Sequence, residues 1–552
     1  LSTPSDRTEV DTYRSSFALA GAEGTDEGSP SVTATVTGEA PPRAKVVLGT
    51  LILVAGVANI NLAVANVALP DIGKAFDAGA TGLNLVAVGY SLGLAASVLY
   101  FGALGDRHGR KRMLIFGMML SIPASLVAGF APSIEVLFGA RLVGGIAAGL
   151  AFPTTLAVIT ALWSGPSRTR AIAAWSALGG AISSLGPIVS GALLEVFSWH
   201  SVFLVTLPLA VIALVCAIML VPADSGDASE SVDNLGGVLS IVFVGAMILA
   251  LNFIPMAGAG LTVGVLAAIS LAAGIAFFVR QRYATTPLFD LKIAARRTFW
   301  VAALGGVVVF GTLMGVMFIG QQYLQNVLGY STFEAGTTIV PAAIGMVVFA
   351  PFSARMVEAR GSRTTLLVGF VFILAGLVAA LLMWTEDAHY WQIAVAYALV
   401  GIGVGFAGTP ASRSLTGSVP RARAGMASSM SDLQRDLGGA IMQSILGAIL
   451  TAGYARDFST SIASSPDRAT VTDETEAALT KSYSSAEVLA ERYPQYGREI
   501  ISGAREAFVH GDFLAYGAAI LVVLGGALVV FFGYPKVDEE RKLMKEYAHE
   551  GN

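Results

Sequence analysis

About fourteen apolar stretches recur along the chain, each near the twenty residues that a helix needs to cross a ~30 Å hydrocarbon core. They lie approximately at 45–69, 83–104, 112–131, 136–161, 171–196, 201–221, 235–255, 261–279, 299–325, 334–357, 365–384, 393–415, 425–452 and 513–534 of 552 residues. Lipid offers no water to satisfy backbone N–H and C=O groups, so each stretch is predicted to be a helix. The expected fold class is therefore an all-α membrane protein. Composition agrees: 13% of residues are charged, where soluble domains carry roughly 25%.

Cations collect in alternate loops: Arg107, Arg110, Lys111 and Arg112; Arg168 and Arg170; Arg280, Arg282, Lys292, Arg296 and Arg297; Arg355, Arg360 and Arg363; Arg421 and Arg423. The short loops between them offer only Lys74. Inserted segments keep Lys and Arg on the cytoplasmic side, which predicts that both termini are cytoplasmic. The acidic stretch Ala223 to Asn234 gives that orientation no support. Residues 1–44, rich in Ser, Thr, Gly, Pro and acids, are expected to be a disordered cytoplasmic tail rather than a signal peptide, and residues 536–552 a second tail. Residues 455–512 are too polar to span and are expected outside, as short surface helices over a vestibule. Within them Ser484-x-x-Glu487 has the form of a capping box, and Ile500, Ile501, Ala504 and Phe508 fall on one amphipathic face.

Other chemistries find little support. Cys216 stands alone, which excludes an internal disulfide, and His108, His200, His389, His510 and His549 are scattered without metal-ligand spacing. No metal or cofactor is expected. A net charge of −4 suggests no nucleic-acid partner; the partners expected are the bilayer, a small molecule and protons, with the chain a monomer.

Chemistry is densest at Gly102-Ala-Leu-Gly-Asp-Arg-His-Gly-Arg-Lys-Arg112, where Gly105 and Gly109 are predicted to turn the backbone and Asp106 stands among four cations. The stretch has a degraded echo, Ala354-Arg-Met-Val-Glu-Ala-Arg-Gly-Ser-Arg363, with Glu358 for Asp106 and Gly361 for Gly109. Likewise Arg141-Leu-Val-Gly-Gly-Ile-Ala-Ala-Gly-Leu-Ala-Phe-Pro153 answers to Ala398-Leu-Val-Gly-Ile-Gly-Val-Gly-Phe-Ala-Gly-Thr-Pro410. Such repeats predict two homologous six-helix bundles, residues 45–222 and 298–535, with 235–280 left over as an inserted transmembrane hairpin.

The basic loop resembles the Gly-x-Leu-x-Asp-Arg-x-Gly-Arg-[Lys/Arg] signature of the major facilitator superfamily. Six-plus-two-plus-six spans resemble its fourteen-spanner drug:proton antiporter branch. Gly186-Pro187-Ile-Val-Ser-Gly191 is similar to that branch's Gly-Pro-x-x-Gly-Gly antiporter motif, with Ser190 for a glycine; Arg141, Gly145 and Pro153 match its fourth-span pattern. The resemblance implies that Gly102, Asp106, Arg107, Gly109 and Arg110 form a conformational latch, with Asp106 docked near Gly425. It also implies that Arg141 couples proton movement to substrate.

One departure bears on mechanism. The branch usually reads Asp-x-Thr-x-x-x-x-Ala-Leu-Pro in its first span, and alignment on Ala68-Leu69-Pro70 puts Asn61 at the acid and Ala63 at the threonine. Asn59, Asn61 and Asn66 suit interhelical hydrogen bonding, and Asn61 is also a candidate for the cavity and for meeting Arg141 through its amide oxygen. The thirteenth span supplies acids instead: Ser431-Asp432-Leu-Gln-Arg435-Asp436-Leu-Gly-Gly439. Relatives commonly carry Asn, Arg and Gln at 432, 435 and 436. With a ~1.5 Å rise from Ala424, Asp432 lies roughly 12 Å and Asp436 roughly 18 Å deep. Arg435, three residues on, is positioned to pair with Asp432, which leaves Asp436 freer. Intramembrane acids are costly and usually functional; the alternatives are a relocated proton site and a charge-neutral structural network.

Phe310, Met314, Met317, Gln321 and Gln325 recur at helical spacing along one face that suits either packing or a pliable cavity. Tyr90, Trp175 and Tyr323 are further cavity candidates. The function expected is proton-coupled efflux of hydrophobic or amphiphilic compounds. The alternatives are a dedicated exporter of a lipid, siderophore or secondary metabolite and, more remotely, a polytopic membrane enzyme.

Overall fold

The computed structural model describes residues 41, 43–76, 80–223, 232–254, 258–420, 423–465, 468 and 471–549. The expected N-terminal tail up to residue 40, Arg421, most of the acidic 223–234 stretch and the side chains of Asn66 and Lys74 lie outside what is described. In chain order the helices are α1 (Ala44–Phe76), α2 (Ala80–His108), α3 (Arg110–Gly129), α4 (Ile134–Leu162), α5 (Gly165–Leu194), α6 (His200–Leu204) and α7 (Thr206–Leu220). A hairpin follows, α8 (Asn234–Phe253) and α9 (Gly260–Tyr283). Then come α10 (Leu291–Ala294), α11 (Arg297–Asn326), α12 (Thr332–Thr337), α13 (Val340–Met383), α14 (Tyr390–Gly417) and α15 (Ala424–Ser464). The chain closes with α16 (Asp473–Lys481), α17 (Tyr483–Arg492), α18 (Gly497–Gly533) and α19 (Val537–His549).

Twelve described helices are long and apolar enough to cross a membrane, against fourteen expected. Two places account for the difference. The 30-residue α5 is counted, among the described residues, only over Leu185–Leu194. Two expected spans run together in α13, broken where Gly361 adopts φ 81°. Gly109 adopts φ 96° at the matching corner between α2 and α3, so the two halves turn on equivalent glycines, a conformation that side chains rarely tolerate. Gly105, in contrast, lies inside α2 and turns nothing.

The first half packs two apolar clusters, one around Leu51, Phe152 and Trp175 and one around Ile72, Leu137 and Phe203. The second half has one large core around Phe299, Tyr323, Phe370 and Tyr516. Tyr100 and Leu92 of α2 seat the α8–α9 hairpin, with Val244 and Ile248 of α8 packed against Leu92, Leu99 and Leu433. Its base is tied by Asp233, which caps α8 and pairs with Arg280 at 3.2 Å. The hairpin thus lies against α2 and α15, one helix from each half.

At ~1.5 Å per residue, the 41 residues of α15 and 37 of α18 reach well beyond a ~30 Å core. Their extensions pack on each other at the end away from the basic loop, where Tyr454 donates to the Leu479 carbonyl at 3.0 Å and Tyr483 meets Phe508. The 455–512 region is therefore largely continuous with these helices, capped by α16 and α17. Ala504 and Phe508 are buried as the amphipathic pattern predicts, with Ile500 packed beside them. Ser484 is not a cap: it lies inside α17, and Ser482 caps that helix by accepting from Ser485 N–H at 3.2 Å.

Residues 537–549, within the expected C-terminal tail, form a helix. Val537, Glu540, Met544 and Tyr547 share one face of α19, which packs against α13 and α14. Glu540 is 3% exposed and accepts from Ser362 N–H at 2.9 Å and Ser362 Oγ at 2.5 Å, just past the Gly361 break.

Candidate functional site

At the basic end the halves meet through Asp106. Its carboxylate accepts the Gly425 N–H at 3.0 and 2.8 Å, at the first turn of α15, and pairs with Arg110 at 2.9 Å. Anions are favoured at an exposed helix N-terminus by the unpaired N–H groups and the dipole. Gly102 makes the approach possible: a Cβ there would collide with Ser429 Oγ and lie 2.8 Å from the Gly425 carbonyl. Around this contact, Arg168 donates to the Thr416 carbonyl at 2.8 Å, Arg413 to Thr169 Oγ1 at 3.1 Å, Ser429 to the Val98 carbonyl at 2.8 Å, and Ser428 to the Pro153 carbonyl. The basic end is closed. Arg107 is half-buried. Gly102→Val will force α2 away from α15; spin-label distances between the basic ends of α2 and α15 should lengthen and broaden, and unchanged distances would contradict the packing described.

Midway along, α15 carries its acids into the space between the halves. Asp432 is fully buried and neither of its oxygens has a hydrogen-bond partner among the described residues. Asp436 is half-buried, with Oδ2 unpartnered. The expected Asp432–Arg435 ion pair does not form among the described residues, because the guanidinium lies instead over three rings: Phe310 at 4.7 Å, Trp175 at 5.3 Å and Phe152 at 5.5 Å. Phe152 and Trp175 belong to the first half and Phe310 to the second, so Arg435 bridges them by cation–π contact. Trp175 is fixed by its indole N–H, which donates to Thr155 Oγ1 at 2.9 Å, and it is packed rather than free to line an open cavity.

Arg141 sits in the first half, 2% exposed. It donates to the Asn61 backbone carbonyl at 2.6 Å and the Val86 carbonyl at 3.2 Å, and lies 5.1 Å from the Tyr90 ring. The expected bond to the Asn61 amide oxygen is not made among the described residues: the guanidinium takes the Asn61 backbone carbonyl instead, and Thr206 Oγ1 lies 3.1 Å from the amide oxygen. Asn61 Nδ2 is spent on the Val57 carbonyl. Asn61 and Tyr90 are thus both buried and engaged, the first tying α1 to α7 and the second lying beneath Arg141. Asn59 does join helices, donating to the Gly179 carbonyl at 3.1 Å.

Along α11 the expected face grades from buried Phe310 through half-buried Met314, Met317 and Gln321 to exposed Gln325. It runs from Arg435 toward the end opposite the basic loop. Met314 packs near Gly439 of α15, and Gln321 donates to the Ala335 carbonyl at 2.9 Å. Tyr323 is off this face, fully buried and donating to the Thr385 carbonyl. The Gly186-Pro187 pair lies against Ala63 of α1 and Gly336 of α12, while a Cβ at Gly191 would lie 3.3 Å from the Phe333 backbone. Ser190 Oγ is buried without a partner among the described residues. This motif therefore lies where α5 meets the second half. Phe152, Thr206, Glu540 and Asp512 do chemical work that the sequence reading missed; the first two are ordinary residues of apolar spans and carry no signal, whereas Asp512 and Glu540 are acids beside apolar positions.

The sequence profile described as Major Facilitator Superfamily matches residues 51–443. The chain belongs to this superfamily. It is 32% identical over 505 residues to the multidrug efflux pump LfrA of Mycolicibacterium smegmatis, covering 91% of this chain and 98% of that one. It is 30% identical over 489 residues to the drug efflux pump JefA of Mycobacterium tuberculosis, covering 86% and 95%. The solved structure of a bacterial homologue of the human lysosomal transporter Spinster, in an inward-facing, unoccupied conformation, matches with TM-score 0.54 and 18% identity over 92% of this chain and 99% of that one. The fold is the major facilitator fold, and the protein is a multi-pass membrane protein of the transporter class.

Proposed function

We propose that this major facilitator protein is a proton-coupled antiporter of the bacterial inner membrane that exports hydrophobic or amphiphilic compounds. The observation that carries the reading is the Asp432–Arg435–Asp436 group, set where the two halves meet and flanked by the aromatic rings of both. Two relatives covering most of the chain are named as drug efflux pumps, which supports drugs as substrates. The positive-inside pattern puts the basic end and both termini in the cytoplasm. The proton gradient supplies the energy, no cofactor is required, and the chain works as a monomer.

The half-buried Asp436 is the group that exchanges its proton. A lipophilic cation entering beside it favours the ionised carboxylate, so the proton leaves to the cytoplasm as substrate binds. When substrate departs on the other side, the carboxylate takes a proton from outside. Asp106 favours the state with the basic end closed, by typically 0.3–1 kcal/mol and up to ~2 when partly buried. Substrate and proton shift that balance only by binding the two states unequally.

The test is substrate-induced proton release from purified protein across a panel of lipophilic cations, neutral drugs and lipids. Release on adding a lipophilic compound, lost in Asp436→Asn, is the expected result. Proton-driven transport that survives Asp436→Asn would remove the assignment. A dedicated exporter of a lipid, siderophore or secondary metabolite is favoured by one observation, the amide of Asn61 bonded to Val57 and Thr206 where drug antiporters of the branch carry an acid; silence across the panel together with an altered secreted-metabolite profile on deletion would select it.

A further inference from the structure

A second buried carboxyl lies far from the central group. Asp512 of α18 is 4% exposed, and neither oxygen has a hydrogen-bond partner among the described residues. It sits at the end away from the basic loop, where α18 leaves its long apolar run. Tyr516 stands one turn along α18 from it, and Tyr323 of α11 and Tyr397 of α14 belong to the same buried aromatic group. Trp384, at the end of α13, ties these rings together. It stacks on Tyr323 at 5.2 Å and meets Tyr397 and Tyr516 edge-on, each at 5.5 Å. Tyr516 Oη and Trp384 Nε1 are also buried without partners among the described residues.

Among the described residues, the other elements packed on α18 bring no counter-charge to the carboxyl. From α15, Tyr454 spends its hydroxyl on the Leu479 carbonyl; from α17, Tyr483 lies against Phe508. His510, two residues earlier, is paired at 3.0 Å with Asp457 on the more exposed side of the helix. Arg505, two turns earlier on α18, lines a surface pocket with Glu386 and Arg498. A carboxylate buried with neither counter-ion nor donors is unfavourable, and such a group takes up a proton instead. Neutral phenol and indole donors nearby provide the complementary condition, since they can turn toward the oxygens once the proton has left.

We propose that Asp512 is a proton-binding site in the second half, and that Tyr516 and Trp384 are the donors recruited when its proton leaves. The proton passes to water at the capped end; no other bond changes. Because the donors hold α11, α13, α14 and α18 together, losing the proton repacks the helices that support the central crevice. Its use in transport rests on the proton coupling proposed above, whereas its protonation does not.

Infrared difference spectra of the full-length protein in lipid, titrated with pH, decide between the outcomes. The protonated-carboxyl band of wild type should lose one component in Asp512→Asn, and in Tyr516→Phe that component should persist to higher pH, because the ionised form lacks a donor. A band identical in wild type and Asp512→Asn would overturn the site. Should Asp512→Asn fold poorly, Tyr516→Phe decides alone: an unshifted titration overturns the role of the donors. Substrate-induced proton release separates the two proposals. Absence in wild type fails the coupling reading alone, leaving the Asp512 component to stand or fall in the spectra.

Discussion

Arg435→Leu will abolish transport and destabilise the protein, and the stability loss will be larger in alkaline than in acidic buffer. Arg435 is the cation of the central group and lies over Phe152, Trp175 and Phe310 from both halves. Cation–π contacts are worth about 2 kcal/mol or more each when desolvated. Removing one member of a buried charged group costs about 3–5 kcal/mol, because the partner charge is left uncompensated. Here the charges left behind are Asp432, fully buried, and Asp436. At alkaline pH both must stay ionised without a cation or take protons that the unfolded chain does not hold. The folded state then binds more protons than the unfolded state, and stability falls as pH rises. Adding Asp432→Asn to Arg435→Leu should recover most of the lost stability without recovering transport. Thermal melts of the purified variants at two pH values check this, and equal melting temperatures for wild type and Arg435→Leu at both would show that the arginine holds nothing in place.

That group also marks how far sequence reading goes. Length and apolarity exposed nearly every spanning helix, because a lipid-facing segment has few ways to satisfy its backbone. The exception is α13, which hides a corner at Gly361 that lacks any loop. Asp106 was legible as a dense motif, and its place near Gly425, 319 residues away, came through resemblance rather than local signal. Side-chain pairing was not legible. Spacing put Arg435 within reach of Asp432, but three aromatic faces from other helices compete for it. In the same way Asn61 offered an amide oxygen to Arg141, and the guanidinium bonds the Asn61 backbone carbonyl instead. Asp512 was hidden by position, since it closes a polar stretch that continues into α18 without a break. The periodic face of α19, Val537, Glu540, Met544 and Tyr547, was present in the sequence; its short length and heavy charge made it read as a tail.

Glu540→Ala will loosen the closed basic end from the opposite side to Asp106. Glu540 accepts from the first N–H and the hydroxyl of Ser362, where the helix restarts after Gly361, and so caps it as Asp106 caps α15. It also pairs at 3.4 Å with Arg413, which in turn donates to Thr169 of α5. One carboxylate therefore orients the arginine that joins the second half to the first. Hydrogen bonds to charged groups contribute about 1.5–3 kcal/mol each, and leaving their buried partners unsatisfied costs more than the bond alone. The alanine variant leaves Ser362 N–H, Ser362 Oγ and the Arg413 guanidinium short of an acceptor together. If ~1.4 kcal/mol of that loss falls on the closed state alone, the ratio of closed to open molecules drops tenfold. Spin labels on the basic ends of α5 and α14, in protein whose only native cysteine, Cys216, has been replaced, should show a longer-distance population in Glu540→Ala. Glu540→Asp, one methylene shorter, should give an intermediate population. A distance distribution indistinguishable from wild type, with α19 still resistant to proteolysis, would show that Glu540 anchors its own helix and takes no part in holding the halves together.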